Sequence, residues 1–163
     1  MAFDDLLAEN KKYAEHFDDH HFNGKAEVGV LMLTCMDSRI EPLAMIGQKI
    51  GSLKILRTPG AFLTPDALSG CIVGVHKLGV DRIMVVAHTR CAMANQTEEE
   101  LLELVAKHAG KDIGELTLGA DPAQRARLSH DVEELRNHPL IGSFAEIGGF
   151  MYDVDWGRLT QVL

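Results

Sequence analysis

Two short runs, 28–34 (VGVLMLT) and 82–87 (RIMVVA), are apolar at nearly every position and rich in β-branched residues. A strand with one wet face alternates apolar and polar side chains. A run without alternation suits a strand covered on both faces, as in parallel sheets. A third run, 53–56 (LKIL), followed by Arg57, suits the same sheet. Such strands, separated by helix-length segments, restrict the chain to alternating α/β architectures.

The spacing predicts a short helix at 40–47 and a longer one at 65–78 (PDALSGCIVGVHKL), with Thr64 as N-cap, Pro65 in the first turn and Gly79 beyond the end. Apolar residues recur at spacings near three and four over 4–17, 98–108 and 122–137, which predicts three more helices. Near the C-terminus, 147–154 and 158–162 flank Asp155-Trp156-Gly157 and predict a hairpin. The expected fold class is therefore α/β, a mainly parallel central β-sheet flanked by helices, with an antiparallel edge strand. With no repeat, low-complexity tract or linker, 1–163 is expected to form one domain.

At 163 residues and 46% hydrophobic content, the chain is long enough to bury a core. Lys and Arg number 16 against 24 Asp and Glu, a formal charge of −8 without a clustered basic face. That excludes the phosphate-binding surface of a nucleic-acid protein. No apolar run approaches the roughly 20 residues that span a bilayer. The N-terminal stretch MAFDDLLAENKKYAEHF is acidic and polar where a signal peptide is basic and then apolar. The expected location is the cytoplasm, where three cysteines are expected as thiols or metal ligands rather than disulfides.

Open parallel sheets bind ligands beyond the carboxyl ends of their strands, where strand order reverses. The residues following the first and third strands are Cys35-Met36-Asp37-Ser38-Arg39 and His88-Thr89-Arg90-Cys91. Adjacent central strands would bring these turns together. Zinc takes thiolate and imidazole ligands in a tetrahedral shell, which makes Cys35, His88 and Cys91 candidate Zn2+ ligands. Two Cys and one His with an open position form a catalytic arrangement, whereas structural sites are closed by a fourth protein ligand. The sequence leaves open whether Asp37 is that fourth ligand. The competing reading makes Cys35 a small buried apolar residue and His88 a polar strand end, and their joint placement at two strand ends weighs against it. Zinc lowers the pKa of bound water to near ~7. Asp37 is placed to orient the resulting hydroxide, and Arg39 to hold Asp37 ionised through a bidentate contact.

CMDSR at 35–39 and HTRC at 88–91 resemble the two signature segments of the β-class carbonic anhydrases. The resemblance implies that Cys35, His88 and Cys91 bind Zn2+, that Asp37 and Arg39 form the catalytic dyad, and that the reaction is reversible hydration of carbon dioxide to bicarbonate and a proton by zinc-bound hydroxide. It also implies a homodimer or dimer of dimers, with an N-terminal helical arm, 1–24, embracing the partner. Some members of the family have a closed state in which the aspartate, here Asp37, replaces water on zinc until it pairs with the arginine, here Arg39. Relatives that hydrolyse carbonyl sulfide or carbon disulfide supply an alternative substrate class. A non-catalytic zinc-binding dimer, permanently closed by Asp37, is the alternative of another kind.

Several positions depart from the family pattern. Ala92 follows the second cysteine ligand where glycine is usual, and Thr58 and Ala61 occupy asparagine positions in the loop Arg57-Thr58-Pro59-Gly60-Ala61. Gln48 is one residue out of register with the pocket glutamine of plant-type members. Met32 stands where bicarbonate-regulated members have tryptophan. Outside the motifs, Cys71 is expected to pack in a core helix, His16 and His20 to lie on a solvated face, and Asp66 to cap its helix. His76, His108, His130 and His138 are interchangeable candidates for a proton shuttle.

Overall fold

The computed structural model describes residues 2–18 and 22–163. Five strands form one sheet: β1 (Val30–Cys35), β2 (Leu53–Thr58), β3 (Arg82–His88), β4 (Glu146–Asp153) and β5 (Arg158–Gln161), in the spatial order β2-β1-β3-β4-β5. The first four are parallel and β5 is antiparallel to β4. Four helices accompany them: α1 (Asp4–Glu15), α2 (Pro65–Lys77), α3 (Glu98–Ala109) and α4 (Gln124–Asn137). This is the expected α/β class with its antiparallel edge.

The unbroken apolar character of 28–34 has its cause in the position of β1, every residue of which is buried. On one face, Leu31, Leu33, Ile83 and Val85 pack against Ala67 and Cys71 of α2 and Leu128, Val132 and Leu135 of α4. On the other, Val30, Met32 and Val86 are covered by irregular chain carrying Ile40, Leu43, Met45 and Ile46. Helix α2 can lie close to the sheet because a Cβ at Gly74 would come within 2.9 Å of Leu31 Cδ1.

The boundaries shift where local chemistry intervenes. Gly29, at φ 70°, delays β1 to Val30. The helix expected at 40–47 is only a 3-10 turn, Ala44–Ile46, because Pro42 supplies no backbone donor and Gly47 turns left-handed at φ 66°. Helix α4 begins at Gln124 rather than 122, after Asp121 Oδ1 accepts from Ala123 N at 2.7 Å. Helix α2 is capped by Thr64, whose hydroxyl accepts from Ala67 N at 3.2 Å; Asp66 sits in the first turn instead of capping it. An acid there still complements the positive end of the helix dipole.

Helix α1 buries none of its residues and leaves Leu6 and Tyr13 more than half exposed. His16 is bonded to Lys12 O on the exposed side of this helix. His20 lies outside the described residues, as do Met1, Asp19 and His21 of the expected arm. Among the described residues, no helix is long and apolar enough to cross a membrane.

Candidate metal centre

The strand order fixes where chemistry can gather. From β1 the chain steps to β2 on one side and then to β3 on the other, so the crevice between the carboxyl ends of β1 and β3 is the reversal point. Cys35 is the last residue of β1 and His88 the last of β3. Cys91 follows after a tight turn. All three side chains are buried, and the two sulfurs and a ring nitrogen lie within 4.8 Å of one another.

His88 has one ring nitrogen committed. Its Nδ1 lies 2.9 Å from Thr89 O. A carbonyl can only accept, so in the neutral ring Nδ1 carries the hydrogen and Nε2 presents a lone pair. That Nε2 is the buried side-chain nitrogen or oxygen left without a hydrogen-bond partner among the described residues. Leaving such an atom unsatisfied costs about 1–3 kcal/mol. A cation bound by the lone pair removes that cost, and two sulfurs plus one imidazole are a donor set suited to zinc. The residues present therefore fit a zinc ion.

The thiols are prepared for the same role. The Cys35 thiol is held well below its ordinary range, chiefly by a hydrogen bond from Cys91, against the opposing effect of burial. Backbone bonds from Asp37 and Gly60 act in the same direction. Cys91 is pushed up by the same contact with Cys35. A cation bound between the two sulfurs takes thiolates as its ligands, so its binding releases their protons.

Asp37 stands beside this cluster, its Oδ2 3.9 Å from His88 Nε2. Arg39 Nε donates to Asp37 Oδ1 at 2.9 Å and Nη2 to Oδ2 at 2.7 Å, while Arg39 N adds a bond to Oδ1 at 2.9 Å. The guanidinium contact holds the Asp37 carboxyl well below the usual carboxylate range. An anionic oxygen is thereby kept next to the cluster yet tied to a cation.

A family model described as carbonic anhydrase matches residues 30–159. The chain belongs to the β-carbonic anhydrase family. Beta-carbonic anhydrase 1 of Mycobacterium bovis is 25% identical over 160 residues, covering 98% of this chain and 96% of that protein. The carbon disulfide hydrolase of an Acidianus species is 32% identical over 157 residues, covering 80% of this chain and 75% of that one. A crystal structure of carbonic anhydrase from Streptococcus mutans matches with a TM-score of 0.91 at 29% identity, covering 100% of this chain and 98% of that one. As a β-carbonic anhydrase family member, the chain is an enzyme.

The loop that departs from the pattern of this β-carbonic anhydrase family keeps its place at the site through side-chain hydrogen bonds and a left-handed residue. Thr58 Oγ1 donates to Phe62 O at 2.8 Å, and Ala61 is buried with φ 66°. Arg57 clamps the turn after β1, Nε donating to Cys35 O at 2.9 Å and Nη2 to Asp37 O at 2.6 Å. Gln124 Nε2 reaches His88 O at 3.1 Å. The clamp by Arg57 was readable only as a cation following a strand, and nothing in the sequence marks Gln124.

Other singled-out residues lie apart from this chemistry. Cys71 is fully buried in α2, as expected for a packing role, and burial pushes its thiol up to about 12. His76 is bonded to Leu140 O, and His138 accepts from Leu140 N. His130 lies with Asp131 and Glu134 in a second group of metal-binding residue types. There the carboxylate of Asp131 is already satisfied by Leu63 N and Arg127 Nε, both at 2.9 Å, and ties the loop after β2 to α4.

Proposed function

We propose that this enzyme interconverts carbon dioxide with bicarbonate and a proton, using one zinc ion held by Cys35, His88 and Cys91, with Asp37 and Arg39 as its working pair. The observation that carries the reading is the unpartnered, buried His88 Nε2 facing two cysteine sulfurs, with an arginine-held carboxylate alongside. Zinc in such a set would supply a coordinated water acidic enough to lose its proton near neutral pH.

The chain's own residues do the remaining work. Cys35 and Cys91 supply the negative charge that retains the cation, and Thr89 O fixes the His88 tautomer. Asp37, ionised through Arg39, accepts a hydrogen bond at Oδ2 and so directs the lone pair of the attacking oxygen toward carbon. Arg39 keeps that carboxylate from turning onto the metal. The proton released in hydration passes to buffer or solvent, which balances water and carbon dioxide against bicarbonate and a proton.

Carbon disulfide or carbonyl sulfide is the second substrate reading. It is favoured by the 32% identical relative named as a carbon disulfide hydrolase and by the apolar Ala61, buried in the same cluster as Cys35. These linear molecules offer the same electrophilic carbon. A homodimer or dimer of dimers is proposed as well, supported by an α1 that leaves apolar side chains uncovered in one copy. Three free thiols suit a reducing cytoplasm.

The test is fast-mixing turnover of carbon dioxide, carbonyl sulfide and carbon disulfide on zinc-loaded protein. Faster carbon dioxide hydration supports the first reading. Sulfide release with poor hydration transfers the assignment to the second, and one zinc per chain with no turnover of any substrate leaves a binding protein.

A further inference from the structure

The turn between His88 and Cys91 carries a residue whose backbone and side chain pull in different directions. Arg90 sits at φ 51°, in the left-handed region that residues bearing a Cβ enter at a cost. Such a conformation persists where its surroundings over-determine it. At one end, the Arg90 carbonyl accepts from Arg39 Nη2 at 3.0 Å. At the other, the Arg90 guanidinium pairs with the Asp155 carboxylate.

Asp155 is itself on a prepared turn. Between β4 and β5, Asp153 Oδ1 accepts from Asp155 N at 2.9 Å and from Trp156 N at 3.3 Å, while Gly157 N donates to Asp153 O at 2.8 Å. The same region grips the backbone next to Arg90: Thr89 N donates to Tyr152 O at 2.9 Å and Val154 N to Thr89 Oγ1 at 3.1 Å. The β4–β5 turn is therefore fastened to the turn that bears Arg90 by one backbone–backbone bond, one bond to the Thr89 hydroxyl and one ion pair.

Arg39 consequently has three acceptors, both oxygens of Asp37 and the Arg90 carbonyl. Asp37 alone would let the two-residue unit swing as a body, since both side chains spring from one short turn. The third acceptor comes from the other side of the crevice and fixes the unit against β3. The Arg90–Asp155 pair is too exposed to contribute much to stability. Its effect is geometric.

We propose that Arg90, anchored by Asp155, is a positioning residue: through its backbone carbonyl it sets the guanidinium of Arg39, and so keeps Asp37 turned away from Cys35, His88 and Cys91. This rests on the reading of Asp37 and Arg39 as the working pair. The contact itself can be measured without turnover.

The experiment labels arginine with 15N in the zinc-loaded protein, assigns the Arg39 guanidinium through Arg39→Lys, and follows hydrogen exchange at Arg39 Nη2, the nitrogen that donates to the Arg90 carbonyl. Arg90→Gly keeps the left-handed backbone and removes the anchor, and Asp155→Asn removes only the charge. Each is expected to speed Arg39 Nη2 exchange several-fold and to lower kcat by up to about tenfold, at unchanged zinc content. Together they are expected to do no more than either alone, and the charge-reversed protein Arg90→Glu with Asp155→Arg to recover part of the slow exchange. Unchanged Arg39 exchange in both single variants overturns the proposal, whether or not kcat falls. Loss of zinc also overturns it, because the pair would then serve the ligand turn. Exchange that responds as expected in a protein that never hydrates carbon dioxide upholds the positioning and refutes the functional reading instead.

Discussion

Arg39 and Asp37 meet through a two-pronged contact, Nε to Oδ1 at 2.9 Å and Nη2 to Oδ2 at 2.7 Å, beside a histidine nitrogen that has no hydrogen-bond partner among the described residues. The contact decides which way the carboxylate faces. On the proposed reading Asp37, held by Arg39, is the acceptor for an incoming oxygen; released, its Oδ2 has only 3.9 Å to cross to His88 Nε2.

Asp37→Ala is expected to retain zinc and lose on the order of a hundredfold in kcat/KM for carbon dioxide, the range in which positioned proton acceptors act. Metal analysis and fast-mixing hydration on one sample check both halves. Full activity in this variant removes Asp37 from the mechanism.

Cys35→Ser and His88→Ala should each abolish stoichiometric zinc and, with it, activity. Zinc bound at one per chain by either variant contradicts the ligand assignment.

The depressed Asp37 carboxyl carries a sign for stability against pH. Its native value lies below the ordinary 3.8, so the pair's contribution is fully present above that value and is lost as pH falls through the native one. The stability difference between the parent and Asp37→Asn should therefore be flat between about pH 6 and 8 and shrink only in strong acid. Any rate change between about pH 6 and 8 belongs to a group other than Asp37. Urea unfolding across this range tests the first point, and a difference that changes near neutrality would contradict it.

Ala61 holds φ 66° while buried beside Gly60. Removing its Cβ relieves a left-handed conformation that costs an L-residue about 1–2 kcal/mol, partly offset by the greater freedom of glycine in the unfolded chain. Ala61→Gly should raise the urea midpoint slightly. A lowered midpoint would mean that the methyl group packs better than its backbone fits.

The sheet was legible because β1 and β3 are buried along almost their whole length and so display no alternation in sequence. The grouping of Cys35, His88 and Cys91 was legible because a parallel sheet delivers strand ends to one crevice, and the Asp37–Arg39 contact because both residues follow Cys35 closely. What escaped is carried by backbone geometry. The 40–47 segment has helical composition but is stopped by Gly47, and Asp66 is a capping type displaced by Thr64 two residues earlier. Arg90 reads as a surface cation, and only its left-handed backbone and the distant Asp155 give it a place.

The most direct measurement is carbon dioxide hydration followed as zinc is titrated into metal-free protein. The account predicts a rate that rises in proportion to bound zinc and stops at one ion per chain, with Asp37→Ala binding the same equivalent at a small fraction of the rate. One equivalent of zinc bound by the parent with a rate no greater than buffer alone would contradict it.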